Sequence, residues 1–231
     1  MNLLSNLFRS SLGKKYTMAV SGLVMFLFVI GHLAGNLQIF IGREVINRYG
    51  NFLQTNPEVL WPVRCFMVLM LVLHIWSASK LSIENKAARP AGYSVYRPIG
   101  STYASRTMLM SGLIVFVFII YHLLHYTVQV KAINLTGEDF AGKGFQDEGV
   151  HDIYKMMVVG FSNPWVSAFY VLGIALLSLH LSHGASSMFQ TMGWKNDAWR
   201  SFLDNAARVV AWLIFLGYIS IPVAILCGFV K

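Results

Sequence analysis

The sequence predicts an all-α membrane protein with five spanning helices, and three observations predict it. Mean hydropathy is +0.57, with 56% hydrophobic and 12% charged residues among 231, outside the usual balance of a soluble domain. Five apolar runs, at about 17–41, 60–82, 107–130, 164–188 and 206–229, have the size needed to cross a hydrocarbon core of roughly 30 Å. One stretch also occurs twice: SGLVMFLFVIGHLAGN from Ser21 to Asn36, and SGLIVFVFIIYHLLHY from Ser111 to Tyr126. The loops are too short for a separate soluble domain, so residues 1–231 read as a single membrane domain.

Residues 1–16 read as a basic approach segment, pictured as an interfacial helix, carrying Arg9, Lys14 and Lys15. The first run is too long for a secretory signal and no small-residue cleavage site precedes His32, so it reads as a spanning helix. A loop follows to Trp61 and Pro62, where the second span enters; it carries His74 and leaves the membrane at Lys80. The 2–3 loop is rich in Gly, Pro, Tyr and basic residues, and the 3–4 loop is more acidic and Gly-rich. Pro164 and Trp165 open the fourth span, which carries His180. The fifth holds no histidine and packs the bundle, with a kink expected at Pro222.

Formal net charge is +8. With a cytoplasmic N-terminus, the N-terminal tail and the 2–3 and 4–5 connections carry eleven Lys/Arg against three acids, and the opposite face seven against seven. The excess lies on one side, as the positive-inside rule expects, which suits lipid headgroups or a cytoplasmic partner and argues against nucleic acid. Two cysteines, Cys65 and Cys227, are too few for an iron–sulfur cluster; they lie toward one face, and unpaired, buried thiols are expected, with a disulfide between them as the alternative.

Histidines stand at 32, 74, 122, 125, 151, 180 and 183, six of them in spans, where an ionisable side chain marks a functional site by default. His32 follows Lys15 by 17 residues and His122 follows Arg106 by 16, a rise of about 24–26 Å at 1.5 Å per residue. His74 lies 12 residues past Pro62 and His180 16 past Pro164, or about 18 and 24 Å inward from the other face. Depth therefore pairs His32 with His122 in the outer half and His74 with His180 in the inner half. Two such pairs suit two b-type haems held in a four-helix bundle, one at each depth. Each iron takes one imidazole from either side, which leaves it no open position and a role in electron transfer.

Gly22 and Gly112 either admit a macrocycle edge or serve plain helix packing. His125 and His183 follow their partners by three residues on nearly the same face, and suit hydrogen-bonding a haem propionate, bracing a ligating histidine, or a structural role. A competing chemistry is a non-haem metal enzyme built on HLLH and HLSH, but no Asp or Glu lies in the buried part of a span to complete it. A transporter or structural membrane protein without cofactor is a further alternative.

The four histidine segments GHLAGN, VLHIWS, YHLLH and HLSHG, in this order, resemble the two-haem cytochrome b membrane anchor of succinate:quinone oxidoreductases (succinate dehydrogenase and fumarate reductase). The resemblance runs over nearly the whole chain and is supported by YSVYRP (Tyr93 to Pro98) before the third span. Gly184 and the Gly193–Trp194 pair align His180, rather than His183, with the family ligand.

The resemblance implies His74 and His180 on an inner haem, His32 and His122 on an outer one, and quinone as the electron acceptor, with menaquinone the expected type. It also implies a flavoprotein subunit with FAD and an iron–sulfur subunit, both docked on the cytoplasmic face of the inner membrane. Quinone chemistry needs a proton donor near the outer haem, for which Glu44, Arg48, Tyr49 and Glu58, with Arg43, are candidates by position. Some family members carry a glutamate in the fourth span near the ligand; here that stretch reads ALLSLH, with Ser178 nearby and no acid. A two-haem cytochrome serving another dehydrogenase or a hydrogenase is the alternative.

Overall fold

A computed structural model describes residues 8–88, 103–147 and 149–231. Its α-helices are α1 (Ser11–Asn36), α2 (Arg43–Thr55), α3 (Pro57–Ala87), α4 (Tyr103–His122), α5 (Ile153–Ser162), α6 (Pro164–Thr191) and α7 (Arg200–Leu226). Between α4 and α5 lies a two-residue hairpin, β1 (Gln146–Asp147) antiparallel to β2 (Val150–His151). Among the described residues five helices are long and apolar enough to cross a membrane, so the chain is an all-α membrane protein with one minimal hairpin. Their exposed side chains are largely apolar, as at Leu27, Val68, Leu113, Leu172 and Leu213, which is the surface that lipid requires.

The spans differ from the sequence expectation at their ends. α1 begins at Ser11, so Lys14 and Lys15 lie inside it; the Lys14 ammonium is buried but neutralised by Glu84 of α3, which lets both helices run past the apolar segment. α3 accordingly starts at Pro57, ahead of the expected entry at Pro62, and continues beyond Lys80 to Ala87, burying Leu81. α7 starts at Arg200 rather than near 206 and runs through Pro222 to Leu226. Cys65 and Cys227 are free, as expected, but exposed rather than buried. The segment Tyr93 to Pro98 lies outside the described residues, as does most of the basic approach segment's start.

Two connections that read as loops contain helices. α2 follows Gly42, whose φ of 142° stops the helical run before it, a conformation costly for any residue with a Cβ. It buries only Ile46 and Gly50, and a Cβ on Gly50 would overlap Ile153 of α5. α5 is capped by Asp152, whose carboxylate accepts the Lys155 amide at 3.1 Å and so satisfies one of the unpaired donors of a first turn. Asn163 does the same for α6 at the amide of Trp165, with Pro164 at the first helical position, where its missing N–H costs nothing.

By their contacts the residues form two compact units. One comprises Met1–Phe28, Arg64–Gly112 and Leu179–Ala211; the other comprises Val29–Val63, Leu113–Ser178 and Trp212–Lys231. In the first, the buried side chains are mostly small (Ala19, Ser21, Ser77, Ala207 and Ala211), with Leu81, Met188 and the stem of Lys14. The second has a continuous apolar core including Ile39, Ile46, Phe118, Phe161, Tyr170, Ile174 and Ile221. A smaller cluster of Phe140, Phe145 and Met156 tucks the hairpin segment under α5.

Candidate functional site

Each unit brings two histidines from different spans together, with their rings edge-on to one another. In the first, the rings of His74 (α3) and His180 (α6) have centroids 6.3 Å apart at 66°. The Nδ1 of His74 lies 3.1 Å from the carbonyl oxygen of Met18 and 3.3 Å from Ser21 Oγ. A carbonyl can only accept, so this nitrogen carries the proton and Nε2 keeps its lone pair. Nδ1 of His180 lies 3.5 Å from Ser111 Oγ. Beneath each ring stands a glycine: a Cβ would come within 3.1 Å of His74 Cε1 at Gly22, and within 3.4 Å of His180 Cε1 at Gly112. The repeated Ser-Gly thus makes the floor on which the histidine of a neighbouring helix rests.

His183, on α6 in the same unit, has its Nε2 3.1 Å from Ser187 Oγ. Close by in sequence, Lys195 pairs with Asp204 at 2.6 Å and donates to Ser186 at 2.9 Å, with 9% of its side chain exposed. This buried cation was not among the residues the sequence singled out; a lone lysine in a short polar connection has no local signature.

In the second unit, His32 (α1) and His122 (α4) stand with ring centroids 5.7 Å apart at 76°. Phe118 stacks on His122 at 6.3 Å. Tyr218 of α7 lies 6.3 Å from the His32 ring and donates its hydroxyl to the Val29 carbonyl at 2.8 Å, so the span without histidines also shapes this pair. Asn36 donates to the carbonyl of His32 at 2.7 Å, bracing the helix end where α1 tightens into a 3-10 turn, Leu37–Phe40.

Past His122 the chain passes into a π turn, Leu123–Thr127, a local widening that re-aims side chains and recurs at functional sites. It turns His125 wholly inward, at 0% exposure. The hydroxyl of Tyr170 (α6) lies between the two histidines, 3.1 Å from His125 Nδ1 and 3.4 Å from His122 Nδ1. Phe140 covers His125 at 5.7 Å between centroids. Among the described residues His125 Nε2, the Tyr126 hydroxyl and the Ser178 hydroxyl are buried without a hydrogen-bond partner.

The candidate proton donors of the 1–2 connection all lie on or beside α2, in the second unit. Glu44, Arg48, Tyr49 and Glu58 are exposed. Tyr49 lies edge-on to α1, where a Cβ on Gly35, one turn past His32, would approach its ring to 2.9 Å. Arg43 is engaged by Asp147 at 2.9 Å and Asp152 at 2.7 Å. Burial alone would raise the Asp152 carboxyl, but Asn47, the Lys155 amide and Arg43 all bond the charged form and hold it below its ordinary 3.8. Its neighbour His151 is pushed below 6.5 by burial, an effect Asp152 only partly offsets, and accepts from Gln129 at 2.9 Å.

Two imidazoles on opposite sides of one ion, with metal–nitrogen bonds of about 2 Å and roughly 1 Å more from each nitrogen to its ring centre, have centroids roughly 6 Å apart. Both observed pairs match that separation. Among the described residues no group of three or more His, Cys, Asp or Glu side chains is gathered to hold a metal, so an ion between either pair would draw its remaining donors from elsewhere. Comparison with family models, with curated proteins and with solved structures found no match to this chain.

Proposed function

We propose that the chain is the two-haem membrane anchor of a succinate:quinone oxidoreductase, carrying electrons between partner subunits and quinone. The observation that carries this reading is the pair of two-imidazole sites, each with a separation that suits one ion between opposed rings and, among the described residues, neither within a group of three or more His, Cys, Asp or Glu side chains. A porphyrin supplies the four donors such a site lacks, whereas a non-haem centre on HLLH or HLSH would need carboxylates or further imidazoles that these sites do not offer. When bound, bis-histidine haem supplies one-electron transfer at an iron with no open position.

In this reading the chain's own residues orient and insulate. The Met18 carbonyl holds the tautomer of His74, leaving Nε2 as the metal-side nitrogen. Gly22 keeps the space in which His74 stands, and Gly112 lies under His180 with room for ordinary contact. Exposed apolar side chains keep the bundle in the bilayer, and the basic face inferred from the sequence docks a flavoprotein with FAD and an iron–sulfur subunit on the cytoplasmic side of the inner membrane. The quinone, expected to be menaquinone, reacts toward the other face, where α2 offers Tyr49 beside α1 and an exposed Glu44.

The test is the reduced-minus-oxidised spectrum and haem-to-protein ratio of the isolated complex, read with its subunit list. The reading expects two b-type haems per chain, reducible by succinate, with a flavoprotein copurifying. Absence of a b-type band ends it. Two haems with a partner that lacks flavin would instead indicate a cytochrome serving another dehydrogenase or a hydrogenase.

A further inference from the structure

We infer that Tyr170 and His125 form a buried hydrogen-bonded chain that positions His122 and sets the electronic character of its imidazole, making the His32–His122 pair electronically distinct from the His74–His180 pair. This rests on the proposed haem ligation.

The argument follows from donors and acceptors. If His122 gives Nε2 to the metal, its Nδ1 must carry the proton, and among the described residues its hydrogen-bond partner is the Tyr170 oxygen at 3.4 Å. That oxygen then accepts from His122, and its single proton is directed to the second contact, His125 Nδ1 at 3.1 Å. His125 is thereby set as the Nε2–H tautomer, and Nε2 is the atom found buried without a partner. One choice at His122 orders every proton along the chain.

The surroundings make these bonds count. Tyr170 is 6% exposed and His125 is wholly buried, so water does not compete and each bond is electrostatically stronger than on a surface. The π turn at Leu123–Thr127 puts His125 on Tyr170. The other pair is braced differently: His74 gives its proton to a main-chain carbonyl and His180 meets a serine hydroxyl at 3.5 Å.

An acceptor at the outer nitrogen of a ligating imidazole fixes its orientation and raises its basicity, and a more basic ligand favours the oxidised, more positive iron. Tyr170, with its own oxygen polarised by donation to His125, therefore lowers the potential at the His32–His122 site. Tyr170 and His125 are positioning residues, acting through His122.

The experiment is a potentiometric titration of both haems in the intact complex, comparing the parent with Tyr170→Phe, His125→Leu and His125→Gln. Tyr170→Phe removes one oxygen and should raise the midpoint of the component that His32→Ala deletes, leaving the other midpoint unmoved and the haem ratio intact. His125→Leu should move the same component the same way by less. His125→Gln, whose amide oxygen can accept the Tyr170 proton, should recover part of that shift. If Tyr170→Phe loses haem, the two His125 variants carry the test. Two haems per chain with both midpoints unmoved in Tyr170→Phe and His125→Leu would overturn this inference alone; a parent without haem would overturn the proposed function and this inference with it.

Discussion

Ser21 stands against His74, its Oγ 3.3 Å from Nδ1 of that ring, and a Cβ on the next residue, Gly22, would meet the same ring. Ser111 and Gly112 hold the same relation to His180 at 3.5 and 3.4 Å. Each copy of the repeat thus does two jobs. Its Ser-Gly supports a histidine of a neighbouring helix, and its own histidine, His32 or His122, joins the other pair. This explains why serine, glycine and histidine recur together at one spacing.

The two glycines differ in clearance, and the difference is measurable. A Cβ at Gly22 meets His74 at 3.1 Å, tighter than ordinary contact, whereas at Gly112 it meets His180 at 3.4 Å. Gly22→Ala should displace the His74 ring by a few tenths of an ångström, lowering retention of one haem during purification. Gly112→Ala should leave the haem ratio at the parent value. Haem-to-protein ratios after identical detergent extraction check both.

Replacing one member of a pair should affect only that pair. His32→Ala is expected to remove one haem and keep the His74–His180 component, and His74→Ala the reverse. Difference spectra of the two variants should be complementary, summing to the parent band. Variants that each lose both components, or neither, would contradict independent two-imidazole sites.

The Asp152 cluster makes the second unit acid-sensitive. Both His151 and Asp152 have folded pKa values below their ordinary ones, so the unfolded chain binds protons that the folded chain does not. Stability is then complete above the unfolded values and falls with pH, first below 6.5 as the unfolded His151 protonates, then below 3.8 for Asp152. Thermal midpoints measured from pH 8 to pH 4 should decline in the first of these windows, and His151→Gln should flatten that decline. Asp152→Ala also removes the α5 cap, worth about 0.5–2 kcal/mol, and should lower the midpoint at every pH.

Phe140 is fully buried over His125 and Tyr126. Truncating a buried Phe to Ala typically costs about 3–5 kcal/mol, so Phe140→Ala should lower the thermal midpoint. It should also raise hydrogen exchange in the segment around the hairpin before exchange in α6 or α7 changes. Uniform exchange across the chain would show that this cluster is not a separate packing unit.

The five spans and the pairing of histidines were legible in the sequence because both follow from constants: the thickness of a bilayer sets run length, and a fixed rise per residue turns spacing into depth. The depth count joins His32 with His122 and His74 with His180, the rings the structure brings together. The helices α2 and α5 were not legible, since α2 buries only Ile46 and Gly50 and gains its buried face from tertiary contacts such as that of Gly50 with Ile153. Which atoms surround each histidine was decided by tertiary packing alone. The carbonyl of Met18, the hydroxyl of Tyr170 and the ring of Tyr218 approach from other helices, and a backbone carbonyl or an apolar-span tyrosine carries no local sign of the ring it will meet. Periodicity determines how far along its helix a side chain lies; only the rotation of packed helices decides what it faces.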